Sequence, residues 1–322
     1  MSTREKLLQL LESQRGSYFS GEEIAGRLQV SRAAVWKAVN ALRKDGYSIE
    51  AVTNRGYCLA EDTDILSPGG ILKYLAPGCP EPEITVLPSA DSTNDLVRQK
   101  AAAGAPEGTL VIANAQTAGK GRSGREFYSP EGTGIYLSLL LRPEQLTGGA
   151  SVSVTTMAAA AMCLAIEKTT GRRPGIKWVN DIFLDGKKVC GILTEGSFSM
   201  ETGTLQYAVL GVGVNVYAPE KGFPEELKDV AGAVFTERQK DVKNRLTAEF
   251  LSRFFEFYRG NREYIEIYRE YSLVIGREAA VLTPTGERRA TVLGIDDSCR
   301  LQVRWENGET ACLSYGEIRI RI

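Results

Sequence analysis

Gln116-Thr-Ala-Gly-Lys-Gly-Arg-Ser-Gly-Arg125 is the stretch on which the reading of this chain turns. Glycines 119, 121 and 124 are interleaved with Lys120, Arg122 and Arg125, just after the apolar strand candidate Thr109 to Ala113. Glycine lets a backbone approach a ligand closely and adopt positive φ. Arg and Lys supply donors for phosphate or carboxylate. A glycine-rich, cationic loop beside a strand suits an anionic, nucleotide-like ligand. It is not a Walker A loop, because no G-x-x-x-x-G-K-[ST] occurs, and its spacing is not that of a dinucleotide-binding turn. The plainer alternatives are a mobile surface loop or a basic RNA-binding patch.

Around this loop, short apolar runs alternate with helical segments. Ile84 to Leu87, Ile135 to Leu141, Ile176 to Trp178, Ile182 to Leu184, Val189 to Thr194 and Gln206 to Val214 read as strands. Asp95 to Ala103, Ser151 to Thr169, Leu246 to Tyr258 and Asn261 to Tyr271 read as helices. The irregular alternation predicts a mixed sheet with helices on one face. Lys177 to Glu195 reads as strand, Asp185-Gly turn, strand. Alternation then sends one of Lys187 and Lys188 to each face; a solvated hairpin edge is the alternative. Ser92-Thr93-Asn94 stands where a helix N-cap is expected. Gly211-Val-Gly-Val-Asn215 puts glycines inside an apolar strand, a mark of close approach by a ligand or another backbone.

The two ends differ from this centre. Residues 1–60 carry a net charge of +3 within a chain of net −1, so the remainder is mildly acidic. Arg4 to Ser13, Gly21 to Leu28 (capped by Ser20, with Glu23 placed for a capping box) and a segment from Ser31 to Asp45 read as three helices. In the third, Val35, Ala38, Val39 and Leu42 form the core stripe. Ser31, Arg32, Trp36, Lys37, Asn40, Arg43 and Lys44 then mark an outward, mostly basic side. A hairpin tipped by Arg55 follows, which completes a winged helix-turn-helix layout suited to DNA; a small protein-interaction module is the alternative. The last residues hold five short strand candidates, Arg277 to Leu282, Arg288 to Ile295, Leu301 to Trp305, Thr310 to Tyr315 and Glu317 to Ile320. Thr285-Gly and Asn307-Gly punctuate them, and they read as a small β-barrel. The expected domains are 1–64, 65–272 and 273–322.

Composition narrows the chemistry. The 322 residues are 43% hydrophobic and 25% charged, enough for a buried core. There is no histidine, so His-based triads and imidazole metal sites are excluded. The six cysteines include no C-x-x-C pair and read as reduced thiols. The segment Met1 to Leu11 already carries Arg4, Glu5 and Lys6, unlike a signal peptide. The longest unbroken apolar run, Met157 to Ile166, is well below the roughly 18 residues of a span. The expectation is a soluble cytoplasmic protein with no membrane partner.

Taken in order, these segments resemble the bacterial bifunctional biotin–protein ligases that also repress biotin synthesis. The matching pieces are Ser92-Thr-Asn94, Gln116, Gly119 to Arg125, Lys177-Trp-Val-Asn-Asp181, Lys188 with Gly191-Ile-Leu-Thr-Glu195, Gly211 to Asn215, and Tyr264 to Ser272. The resemblance implies an α+β chain of three parts: a winged helix, a class II synthetase-like catalytic domain with a mixed sheet, and a C-terminal SH3-like barrel. It implies formation of biotinyl-adenylate from biotin and ATP with Mg²⁺, then transfer to a lysine of a biotin carboxyl carrier protein. Ser92, Thr93, Asn94, Gln116, Lys120, Gly121, Arg122 and Lys188 would bind biotin. Lys188 and Arg122 would act in catalysis, and Arg125, Asn180, Asp181 and Asn215 would face the adenylate. Ligand binding would order the loop, promote a homodimer and favour operator DNA. The family usually carries Pro where Val179 stands and Trp where Phe127 stands. Two other functions fit parts of the pattern: a ligand-sensing transcription factor without catalysis, and a lipoate or octanoyl transferase of the same fold.

Overall fold

A computed structural model describes residues 2–142, 150–198, 205–283, 286–314 and 319–321. The chain divides into two compact units, 1–76 with 237–249, and 77–236 with 250–322.

The first unit begins with α1 (Thr3–Ser13), α2 (Gly21–Leu28) and α3 (Arg32–Lys44). Each starts at a serine whose hydroxyl accepts a backbone N–H three residues on: Ser2 from Glu5, Ser20 from Glu23, Ser31 from Ala34. The reciprocal capping box forms at Ser2 and Glu5. At Ser20 only half of it forms, because the Glu23 carboxylate pairs with Arg27 at 2.7 Å, one turn away. Val35, Ala38, Val39 and Leu42 of α3 pack with Leu7, Leu11, Ile24 and Leu59, as the stripe predicts. Strands β1 (Ile49–Val52) and β2 (Gly56–Leu59) form the wing, with Val52 opposite Gly56. Gly56 has φ +100°, and a Cβ there would lie 2.1 Å from the Phe19 carbonyl oxygen, so no other residue fits.

Beyond the wing a short helix, α4 (Pro68–Leu72), forms. Ser67 caps it and proline occupies its first turn. Residues 237–249 close this unit through buried polar groups. Arg15 lies 2.6 Å from Glu12 and 2.9 Å from Asp241. Lys73 also pairs with Asp241 at 2.8 Å, and Asn244 accepts the Ser67 amide at 3.1 Å.

The second unit is built on a sheet of β3 (Glu83–Leu87), β4 (Thr109–Ala113), β5 (Gly134–Leu141), β6 (Gly175–Lys177), β7 (Asp181–Leu184), β8 (Lys187–Phe198) and β9 (Leu205–Asn215). Their order is β3-β4-β5-β9-β8-β7-β6, with only β3 and β4 parallel. Each strand forms where the apolar runs predict it, and the sheet is mixed as expected. The helices do not share one face. Directly paired residues in a ladder point the same way. Glu195, opposite Val209, is held by Asn94 and Arg98 of α5 (Thr93–Ala102). Thr194, opposite Leu210, bonds Thr155 of α6 (Ala150–Thr170) at 2.7 Å. Neighbouring residues of β8 therefore meet α5 and α6 on opposite faces. The expectation of one covered face fails because alternation along a strand is silent about which helix returns to which side.

Helix α6 is long and apolar enough by composition to cross a bilayer, which the unbroken-run criterion misses because Ser and Thr interrupt the apolar residues. In the fold 67% of that window is buried, as a helix covering a sheet requires. Two further helices, α7 (Val242–Tyr258) and α8 (Tyr264–Glu270), precede a five-stranded antiparallel sheet. It consists of β10 (Glu278–Thr283), β11 (Gly286–Ile295), β12 (Leu301–Trp305), β13 (Thr310–Leu313) and β14 (Arg319–Arg321), ordered β13-β12-β11-β10-β14. The turn expected at Thr285 and the residues 315–318 lie outside the described residues. All six cysteines are free thiols, in line with the sequence reading.

Candidate active site

The register of the large sheet creates a floor. Leu87, Ala113, Tyr136, Gly213, Gly191, Asp181 and Lys177 are each opposite the next, so they form one row across all seven strands. In the adjacent row Ser138 lies opposite Gly211. Glycines at the middle remove side chains where others must come close. A Cβ on Gly213 would lie 2.5 Å from the Phe127 ring, and one on Gly211 2.3 Å from Asn94 Oδ1. The Phe127 ring also meets Tyr136 edge-on, with centroids 6.4 Å apart. Burial pushes the Tyr136 hydroxyl up to about 12, so it stays neutral at neutral pH and donates to the Pro130 carbonyl.

One wall is the start of α5. Ser92 is its N-cap and accepts the Asp95 amide, as the sequence predicts. The amide and hydroxyl of Thr93 both donate to Gln116 Oε1, at 2.9 and 3.0 Å. Gln116 Nε2 donates to Ser129 Oγ at 3.0 Å. Asn94 donates to Glu195 at 2.7 Å and accepts from Ser138 Oγ at 2.5 Å. Ser92, Thr93 and Asn94 are all buried, so this wall is polar, pre-ordered and out of bulk water.

The glycine-rich loop forms the opposite wall. Gly121 donates to the Arg125 carbonyl at 2.7 Å, and Arg122 to Gly124 make one 3₁₀ turn with Ser123 at φ 55°. Lys120 pairs with Asp95 of α5 at 2.7 Å, and Arg122 donates to Asn180 Oδ1 at 3.0 Å. The loop is thus tied to both α5 and the β6–β7 corner. Arg125 is exposed.

Asn180 Nδ2 donates to the Ile192 carbonyl at 2.9 Å, which fixes its amide. Lys188 reaches over the floor: its Nζ would be 3.3 Å from a Cβ on Gly191 and is 2.7 Å from Asp181 Oδ1. That oxygen is shielded from solvent, with the Lys188 ammonium as its ion-pair partner. Lys187 turns away and donates to the Lys228 carbonyl, so the alternation expected of the two lysines is what forms. Asn215 lies at the end of β9 and donates to the Gly232 carbonyl at 3.1 Å. Lys120, Arg122, Lys188 and Lys177 therefore surround a floor whose nearest carboxylate is Asp181.

The sequence reading places Ser92, Thr93, Asn94, Gln116, Lys120, Gly121, Arg122, Asn180, Asp181 and Lys188 together here. Asn215 sits at the floor's far edge. Ser138, Ser129 and Phe127 build the site too, and sequence reasoning gave them no role. Ser138 carried a signal, being the lone polar residue within the apolar run 135–141; the folding-back of residues 127–129 carried none.

On the first unit, Arg32, Trp36, Lys37 and Lys44 are exposed along α3, Trp36 to 59%. Ser31 is spent on its cap and Asn40 is half-buried. Arg43 donates to the Ile49 carbonyl at 2.9 and 2.6 Å, bracing the wing against α3. Arg55 stacks over the Tyr18 ring at 4.0 Å.

Comparison with known proteins agrees with both units. The Biotin/lipoate A/B protein ligase family matches residues 86–215, and an HTH domain matches residues 3–58. A Bacillus spizizenii protein named bifunctional ligase/repressor BirA is 36% identical over 316 residues, covering 95% of this chain and 96% of its own. The Escherichia coli protein of that name is 34% identical over 211 residues, 66% of this chain and 63% of its own. The solved biotin protein ligase from Aquifex aeolicus, in complex with biotin and ATP, superposes with a TM-score of 0.63 at 25% identity. It covers 74% of this chain and 98% of the Aquifex chain.

Proposed function

We propose the chemistry of this site from one premise: the chain belongs to the BirA family of bifunctional biotin ligase/repressors. It is a biotin–protein ligase that also carries a repressor's DNA-binding unit. Its substrates are biotin and ATP, and its product is a biotinylated lysine on a biotin carboxyl carrier protein.

Biotin's ureido and ring atoms would meet the polar wall of Ser92, Thr93, Asn94 and Gln116. A site built to make several hydrogen bonds rejects analogues that lack the partners. The carboxylate would lie toward Lys188. In the first step a carboxylate oxygen attacks the α-phosphorus of ATP, and the bond to the β-phosphate's bridging oxygen breaks. The carboxylate is already ionised, so this step needs no general base, in keeping with a histidine-free chain. Two anions must meet, and the Lys188 ammonium over Gly191 is the group that offsets their repulsion. Arg122 would add a second cation from the loop, while Arg125, Asn180, Asp181 and Asn215 would face the nucleotide. Among the described residues no three acidic or thiol side chains cluster as a metal cage. A single carboxylate suits a Mg²⁺ that arrives on the triphosphate and keeps its waters; Asp181 would hold it, and the ion would neutralise phosphate charge.

The observation that carries this reading is the position of Lys188 between the glycine floor and Asp181. Pyrophosphate release on adding biotin and ATP tests it. Lys188→Ala is expected to cut that release by about 10²–10³-fold; normal release by the variant would refute the assignment. Lipoate in competition with biotin separates the transferase alternative.

The division into 1–64, 65–272 and 273–322, with the last part closing as an SH3-like barrel, remains our assignment of the domains. We place the protein in the cytoplasm, beside its DNA and carrier-protein partners. Adenylate binding would draw the loop closed, promote a homodimer and so favour a palindromic operator. Operator affinity that ignores biotin and ATP would rule out that coupling.

A further inference from the structure

Beyond Ser138 and Gly211, the next row on the same face of the sheet is apolar except at its end. Glu195 of β8 lies opposite Val209, and Val209 opposite Leu140. Leu140 and Val209 pack with Val97 and Ala101 of α5, while the Glu195 carboxylate turns to polar side chains of the same helix. A carboxylate at the edge of an apolar row is tolerated only through its partners.

Both Glu195 oxygens are engaged. Oε1 pairs with Arg98 at 2.8 Å, and Oε2 accepts from Asn94 Nδ2 at 2.7 Å. Arg98 also lies 3.2 Å from Asp95, whose carboxylate holds Lys120 of the glycine-rich loop at 2.7 Å. Charges therefore alternate in sign from Glu195 to the loop. An ionised carboxylate has no hydrogen to give, so it admits only the NH2 end of Asn94. The amide oxygen is thereby turned the other way, to Ser138 and over Gly211, where a Cβ would meet it at 2.3 Å. The Ser138 hydroxyl has one hydrogen and two oxygens within reach, Asn94 Oδ1 at 2.5 Å and Thr93 Oγ1 at 2.8 Å. Thr93 gives its own hydrogen to Gln116. One buried oxygen of this pair is left to accept from a ligand.

We propose that Glu195 is the positioning residue of this wall: braced by Arg98, it holds the Asn94 oxygen toward the floor, as an acceptor for a ureido N–H of biotin. This rests on the ligase reading above. Glu195 acts through Asn94. A glutamine in its place keeps the shape but can offer an NH2 of its own, which lets the Asn94 amide turn over and show a donor where the ligand also brings one. Donor facing donor leaves both unsatisfied.

Biotin methylated on both ureido nitrogens separates this role from a general weakening of the site, because it brings no N–H to the wall. The KM for biotin and the inhibition constant of the methylated compound are measured on the full chain by pyrophosphate release. In the wild-type protein the methylated compound is expected to bind about tenfold more weakly than biotin, or worse. Glu195→Gln is expected to raise the KM for biotin about tenfold, with kcat at saturating biotin nearly unchanged. The inhibition constant of the methylated compound is expected to stay where it was, since that compound never used the acceptor. Arg98→Met is expected to move the biotin KM in the same direction by a smaller factor, and Arg98→Lys to restore most of it. The two Arg98 variants carry the same comparison should Glu195→Gln not fold. An unchanged KM in Glu195→Gln, or a KM and an inhibition constant that rise together, overturns the assignment. So does a wild-type protein that binds both compounds alike. No pyrophosphate release by the wild-type protein on adding biotin and ATP would sink the ligase reading, and this inference with it.

Discussion

Single side chains set the polarity of this site. Ser138 is buried in β5, and its hydroxyl supplies the donor to Asn94 Oδ1. Ser138→Ala leaves that oxygen unsatisfied, at a cost of about 1–3 kcal/mol. Urea unfolding is expected to show the loss, together with a raised KM for biotin, because the Asn94 amide is then held only through its bond to Glu195.

At the scale of elements, α3 and the wing carry the DNA-binding reading. Lys37 is exposed on α3 beside Trp36. If it meets a phosphate, Lys37→Ala weakens binding evenly across sequences and lowers the salt slope by about one. Binding isotherms at several salt concentrations measure this, and an unchanged slope would remove Lys37 from the interface. Arg43 is a different case, because its guanidinium is occupied by the Ile49 carbonyl. The elements themselves were largely legible. Serine caps, the α3 stripe and the strand runs are local patterns, and local patterns are what a sequence displays. What stayed hidden depends on register. Nothing local shows that Gly191, Gly213, Asp181 and Lys177 fall in one row, nor that Phe127 folds over two of those glycines. The helix placement on opposite faces was hidden for the same reason. The site residues taken from the ordered motifs were found together because each motif sits at the end of a floor strand or on a wall beside it.

On the scale of the whole molecule, the first unit is made from two distant pieces of chain. Arg15 is nearly buried between Glu12 and Asp241, and Lys73 completes the cluster. Removing one member of such a group strands the others, at a cost of about 3–5 kcal/mol. Arg15→Met is expected to destabilise this unit by that order in chemical denaturation, and more than Arg4→Met, whose pair with Asp45 is half-exposed. Equal effects would mean the cluster contributes no more than a surface pair. The same division has a bearing on biosynthesis. A ribosome releases Glu12 and Arg15 long before Asp241, and at roughly 5–20 residues per second the interval is on the order of ten seconds. During that time the nascent winged helix has its apolar core but lacks its closing acid. The reading head of this protein is thus finished only after most of the catalytic sheet has been translated, so a chain terminated early yields neither a complete ligase nor a fully closed DNA-binding unit.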